Sequence, residues 1–329
     1  MSFFAVLLAL LLEQLKPLPR KNWVFGALIG WMRWTAINFN AGRDRHAWVV
    51  WGVTVLLPAL LGAAVYIAIA HYSLLLALAW NVLVLYVTLG FRQFSHFFTD
   101  IRDALDAGDE AKARASLAEW RHLDASELPR TELLRHVIEH SLLAAHRHVF
   151  GVFFWFVLLS AVGLGPAGAI LYRMAEFASR YWAFKSRTVG LPTNERLMAL
   201  SQQLFGHIDH VPARLTAFGF AVVGNFEEAV TSWRRDASLW KYPNEGIILA
   251  AAAGAVGVQL GGAAAPGVTP DRSQSFADGA APDAAESRGA TLGIPAQTGH
   301  LRSVVGLVWR SVVLWMLLLA VLSLANLVG

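Results

Sequence analysis

Two apolar stretches, Ala47 to Ala70 and Ser73 to Gly90, carry no charged side chain and are separated only by His71 and Tyr72. Each is long enough to cross the roughly 30 Å hydrocarbon core of a bilayer as a helix, so the short connection predicts a tight transmembrane hairpin. Val304 to Val328 is a third such run, with Arg310 near one end, where a long side chain can snorkel to the headgroups. Met1 to Leu12 is also apolar but too short to span alone. It lacks a basic leader and is followed by Glu13, Gln14 and Lys16 rather than a small-residue cleavage site, which predicts a shallow or core-packed helix ending near Pro17 and Pro19.

Between these runs the pattern changes character. From Phe91 to His148 the chain turns polar, and Asp100 to Arg121 sets Ala and Leu against Glu, Lys and Arg at helical spacing, predicting a helical hairpin broken near Ser126 to Pro129. Val149 to Leu171 is apolar but holds Gly163, Gly165, Pro166 and Gly168 in its middle, which fits a re-entrant or hairpin segment better than a straight span. Tyr172 to Glu245 interleaves aromatics with Arg and Lys, as interfacial helices do. Ile247 to Ala265 is rich in the small residues that let helices approach closely in a bilayer. Ala264 to Arg302 reads as a flexible loop with too little apolar surface to bury.

The fold class is therefore all-α: a polytopic helical membrane protein with cytoplasmic or interfacial helices and about four to six inserted segments. Its predicted regions are a membrane hairpin region over 1–90, a helical hairpin over 91–148, a re-entrant or interfacial region over 149–262, a loop over 263–303 and a final transmembrane helix over 304–329.

Composition agrees with lipid as a solvent. Of 329 residues 56% are hydrophobic and only 15% charged, against roughly a quarter charged in soluble domains. The chain has no cysteine, which excludes disulfides, thiolate catalysis and cysteine metal sites. A net charge of +4 does not point to nucleic acid, because the basic residues are scattered beside apolar segments and form no stripe. Anionic lipid and membrane orientation account for them. Lys16, Arg20, Lys21, Arg33, Arg43 and Arg45 precede the first span and the hairpin turn has no Lys or Arg, so residues 13–46 and 91–148 are placed on the cytoplasmic side of a bacterial-type inner membrane.

Three groups of residues invite a chemical reading. His136, Glu139 and His140 spell H-x-x-E-H, an inverted zinc-protease pattern in which two His one turn apart would bind zinc beside a general-base Glu; no third ligand is identifiable, and a polar helix entering the interface accounts for the same string. Gly163, Gly165 and Gly168 form G-x-G-x-x-G without the preceding strand or the acidic ribose partner that a dinucleotide site needs, so they read as a turn or kink. Asp209, His210, Pro212 and Arg214 place an acid and a base around a proline, which either bind an anionic ligand or pair with each other.

The last group opens a wider resemblance. VPARLTA (Val211 to Ala217), followed by AGAVGVQLGG (Ala253 to Gly262), resembles the IPARLTA and AGALGVQLGG strings of the CobD/CbiB family, the membrane proteins of cobalamin biosynthesis that include adenosylcobinamide-phosphate synthases. GDEAKAR (Gly108 to Arg114), FGVFFW (Phe150 to Trp155) and GLGPAGAILYR (Gly163 to Arg173) extend the similarity over most of the chain. The resemblance implies an inner-membrane amide ligase joining an aminopropanol unit to a corrinoid propionate, with a divalent metal and a nucleotide as the cofactors of such chemistry. The positions that match the family's polar residues are Glu139, Pro212, Arg214, Asn244, Gly246 and Gln259. By the same likeness Glu139 and Arg214 are candidate catalytic residues, and Asp209, Arg214, Asn244 and Gln259 candidate substrate-binding residues.

The departures also carry information. Leu142 to His148 (LLAAHRH) replaces the family's AEN and DG, Glu176 to Arg180 (EFASR) replaces its N-T-x-D-S, and Phe205, Gly206, Asp209 and Leu249 stand where it has carboxyl or amide groups. These differences resemble AmpE, a membrane relative tied to β-lactamase induction without assigned ligase chemistry, whose LIFERLFKL and WVPVRLAG strings are similar to LLLEQLKPL and HVPARLTA here. The alternative function is accordingly a non-catalytic signalling or scaffold protein.

Overall fold

A computed structural model describes residues 2–16, 23–39, 44–89, 91–121, 125–126, 128–188, 192–262 and 289–328. In chain order its helices are α1 (Ser2–Leu15), α2 (Trp23–Phe39), α3 (Asp44–Tyr72), α4 (Leu74–Thr88), α5 (Phe91–Asp106), α6 (Glu110–Arg121), α7 (Arg130–Ala145), α8 (Gly151–Ala161), α9 (Ala167–Thr188), α10 (Pro192–Ile208), α11 (His210–Val223), α12 (Phe226–Asp236), α13 (Pro243–Val256) and α14 (Thr298–Val328). A π turn, His146–Phe150, joins α7 to α8, and a 3-10 turn, Ala237–Leu239, follows α12. Among the described residues there is no strand, only two isolated bridges, Val258 with Ile294 and Gly261 with Ala290. The all-α reading holds.

Among the described residues three helices are long and apolar enough to cross a membrane: Arg45–Tyr72, Arg130–Ala161 and Thr298–Ala325. The first and third are the runs legible in the sequence. The second is not, because its polar first half resembles a soluble helix. The π turn carries the helical path past His148, so no break separates the polar stretch from the apolar one. The last helix also begins at Thr298 rather than at Val304.

The chain forms two compact units. One is built from the described residues of Met1–Gly90 and Arg147–Asp209, the other from those of Phe91–His146, His210–Gln274 and Pro282–Gly329. In the first unit α3 and α4 form a hairpin, parted at Ser73, whose hydroxyl accepts the Leu76 amide and caps α4; at 15 residues α4 is shorter than the span predicted over Ser73 to Gly90. Its core gathers Met32, Val50, Trp51, Val55, Phe177, Tyr181 and Trp182. Ala161 ends α8, and Gly163 (φ 82°) and Gly165 (φ 55°) turn the chain into α9. Only glycine adopts such angles without strain. A side chain on Gly165 would enter the Tyr66 ring, and one on Gly168 would stand 1.8 Å from the Trp155 carbonyl oxygen. The G-x-G-x-x-G string thus makes a close-packed helix–helix turn.

In the second unit α13 is the hub, packed by α7, α11, α12 and α14. Its small residues are what permit this: Ala250 to Ala253 are fully buried, and a side chain on Gly254 would meet the Glu228 carbonyl oxygen at 2.3 Å. The apolar run predicted to continue to Ala265 is helical only to Val256. Gly257, in the left-handed region at φ 74°, caps α13, and Val258 to Gly262 continue outside helix, with bridges from Val258 to Ile294 and from Gly261 to Ala290. Most of the predicted loop, 264–288, lies outside the described residues. Residues 289–297 are ordered, with Thr291 N–H donating to the Leu260 carbonyl and Gly262 N–H to the Gly289 carbonyl, and 298–302 are already helix.

Candidate functional site

The second unit collects the segments that carry most of the candidate residues. α11 starts at His210 with Pro212 in its first turn, where a proline costs no helical hydrogen bond. One turn on, the Arg214 guanidinium donates to the His210 carbonyl at 2.8 Å and reaches Asn244 Oδ1 at 3.5 Å. Asn244 follows Pro243 at the head of α13, so two strings far apart in the chain are joined by one cation and one amide. Two residues on, Gly246 lets α13 pack against the turn after α12: a side chain there would lie 2.4 Å from the Ala237 carbonyl oxygen and against Trp240. Arg214 remains partly exposed, with several donors and no acceptor of its own, which is the chemistry of a carboxylate or phosphate clamp.

The far end of α13 carries the second constellation. Past the Gly257 cap, the Gln259 amide N–H donates to Ile294 and the Leu260 amide to the Thr291 hydroxyl, leaving the Gln259 side chain exposed. Gly261 (φ 76°) then points its N–H at Glu139 Oε1, 2.7 Å away on α7. Arg135 Nη1 stands 3.6 Å from the same carboxylate and its other terminal nitrogen pairs with Glu132. Arg135 and Glu139 are both buried. A carboxylate out of water is stable only when charges and donors surround it, and here Arg135 and the Gly261 amide are among them.

These contacts change the reading of H-x-x-E-H. His136 Nδ1 lies 4.0 Å from Glu139 Oε2, while His140 packs edge-on against the Trp120 ring with centroids 4.5 Å apart. Among the described residues no three His, Cys, Asp or Glu side chains gather as a metal set, so His136 and His140 gain no third zinc ligand there. Glu139 faces a glycine backbone rather than a pair of zinc ligands.

Asp209 belongs to the other unit, where it accepts a hydrogen bond from Tyr172 Oη at 2.8 Å. On the same helix Glu176, 1% exposed, is bracketed by Arg173 at 3.0 Å and by Arg180. The EFASR departure thus forms an ion triplet with Arg173, three residues before it. Elsewhere in the second unit Asp236 takes both Nε and Nη2 of Arg235 and the Ser232 hydroxyl, and these hold its carboxyl below the ordinary carboxylate range.

Arg135 was missed in the sequence although its spacing was informative. An Arg three residues after Glu132 and four before Glu139 places three charges on one face of a helix that is otherwise largely apolar. Thr291 and Tyr172 had no comparable signal, since each is defined by a partner at least 31 residues away.

Comparison with known proteins bears on the whole chain. A protein called cobalamin biosynthesis protein CobD from Stutzerimonas stutzeri is 30% identical over 324 residues, covering 96% of each chain. A protein of the same name from Chromobacterium violaceum is 33% identical over 193 residues, 58% of each, and one from Pelobacter propionicus is 29% identical over 170 residues, 49% of each. No solved structure matches significantly. The profile described as CobD/Cbib protein matches residues 2–291, which include Glu139, Arg214, Asn244 and the Gly261–Gly262 turn, and the chain belongs to the CobD/CbiB family.

Proposed function

We propose that the chain acts in cobalamin biosynthesis as a multi-pass protein of the bacterial inner membrane, forming the amide between an aminopropanol unit and a corrinoid propionate. The observation that carries this reading is the Arg214–Asn244 contact, which joins the PARLTA and PNEG strings through a partly exposed guanidinium suited to an anionic substrate group. Amide formation from a carboxylate needs that group held, its negative charge offset and the amine brought alongside, and orientation of two bound reactants is itself worth several kcal/mol. In this reading Arg214 and Asn244 hold the anionic group and the exposed Gln259 amide contributes to binding.

Glu139, in contrast, is a positioning residue: its carboxylate engages Arg135 and the Gly261 amide and keeps the Gly-Gly turn in place. Activation of the propionate calls for a nucleotide in this class of reaction.

The EFASR segment favours a second reading. Glu176 is neutralised by arginines of its own helix and Leu249, where the family has an acidic residue, is buried in α13, so two polar positions do no substrate work. A scaffold or signalling protein of the AmpE kind would tolerate that. Complementation of a corrinoid-amidation mutant separates the two. Growth with the native chain and failure with Arg214→Ala, at equal membrane level, supports the ligase; failure of the native chain, expressed and inserted, rejects it.

A further inference from the structure

The exposed face of α14 changes chemistry once along its length. In its first three turns Leu301, Val304, Leu307 and Val308 face inward, while Arg302 and Ser303 are exposed. Beyond Arg310 the exposed residues are Val313, Leu317, Leu318, Val321, Leu322 and Leu324, each more than half uncovered. Trp309 and Arg310, both exposed, stand at the changeover, and Trp and Arg are the residues that settle at headgroup level. From Arg310 to Val328 the helix is about 27 Å long, close to the roughly 30 Å of a hydrocarbon core, while Thr298 to Trp309 adds about 17 Å more.

What stands beside that extra length is polar. Arg130 at the start of α7 hydrogen-bonds Thr298 at the start of α14, and the α5–α6 junction joins the same end through Arg130–Glu110 and Arg302–Asp106. The two long helices run in parallel with matched rise. His146 bonds Thr216 of α11, and Gly219, one turn further on α11, faces the Trp315 indole. These markers lie about 24 Å along α7 from Arg130 and about 26 Å along α14 from Thr298. By that register Glu139 is level with residues 307–308, less than one turn above Trp309. α6 obeys the same limit: it meets Arg130 through Glu110, and its Trp120 packs on His140.

We propose that Trp309 and Arg310 sit among lipid headgroups, that acyl chains cover α14 below them, and that the Arg135–Glu139–Gly261 contact stands at the headgroup level on the α5–α6 side. A ligand of this site then arrives from the aqueous phase of that face, not through the hydrocarbon. The proposal is independent of the ligase reading and stands or falls on membrane depth alone.

The absence of native cysteine allows a direct test. Lys112→Cys, Gln259→Cys, Ser303→Cys and Leu317→Cys are placed singly at exposed positions of the full chain, and sealed inside-out and right-side-out vesicles are treated with a membrane-impermeant maleimide. Lys112→Cys, Gln259→Cys and Ser303→Cys are expected to label in one and the same vesicle orientation, with Leu317→Cys protected until detergent is added. Protection of Ser303→Cys or Gln259→Cys in both orientations, labelling of either from the side opposite Lys112→Cys, or ready labelling of Leu317→Cys overturns it. Spin labels scanned from Ser303 to Leu318 add a depth reading: the crossover from water-borne nickel chelate to oxygen accessibility is expected within one turn of Arg310, and a crossover further away also overturns the proposal.

Discussion

Glu139 Oε1 on α7 accepts the backbone N–H of Gly261, 122 residues later, at 2.7 Å, with Arg135 Nη1 3.6 Å from the same oxygen. Removing one partner of a buried pair leaves an uncompensated charge and an unpaired amide, so Glu139→Ala is expected to cost about 3 kcal/mol. Glu139→Gln keeps an acceptor for Gly261 and is expected to retain most stability and activity. Thermal unfolding in detergent, read beside complementation, distinguishes this from a catalytic role, in which Glu139→Gln would be inactive at native stability.

The three glycines of G-x-G-x-x-G are expected to differ sharply. Gly163 has open space around it and a positive φ, so Gly163→Ala costs about 1 kcal/mol of backbone strain. Gly168→Ala drives a methyl into the Trp155 carbonyl and costs about 3 kcal/mol or more, with Gly165→Ala also severe because of Tyr66. Equal tolerance at all three positions in a melting assay would contradict the close-packed turn.

Arg214 is the candidate whose loss is expected to affect function more than folding. A charge-assisted contact is worth about 1.5–3 kcal/mol, so Arg214→Ala should weaken substrate use by roughly ten- to a hundredfold, with Arg214→Lys recovering only part because a single ammonium cannot form the same fork. Kinetics on purified protein, with insertion checked by the labelling pattern above, measures this. Unchanged turnover in Arg214→Ala would remove Arg214 from the site.

Asp236 provides a pH signature. The hydrogen bonds from Arg235 lower its folded-state pKa, so its contribution to stability is present above the unfolded carboxylate value and is lost as pH falls through the depressed folded one. Asp236→Asn is expected to melt below the native chain near neutral pH, with the gap closing in acid. A gap that stays constant across that titration would show that the carboxylate charge is not what Asp236 contributes.

Membrane-length helices were legible because hydrophobicity along a helix needs no tertiary information: Ala47 to Ala70 announces itself by length and lack of charge, and the last apolar run by length with one Arg near its end. The family strings were legible for a related reason, since PARLTA, PNEG and VQLGG are contiguous. Helix α7 was not. Its Arg135, His136 and Glu139 resemble solvent-facing residues until the contact of Glu139 with the distant Gly261 amide is known.

The same asymmetry governs the roles of the candidates. Local pattern was enough to establish an all-α chain with membrane-length helices, because period and composition act within a few turns, and the likeness to the family strings nominated Glu139, Arg214, Asn244 and Gln259. Only the packing around α13 separated a carboxylate tied to a glycine amide from a guanidinium left partly open. That distinction depends on which distant groups satisfy a buried charge, and residues brought together across more than a hundred positions leave no periodic trace in the chain.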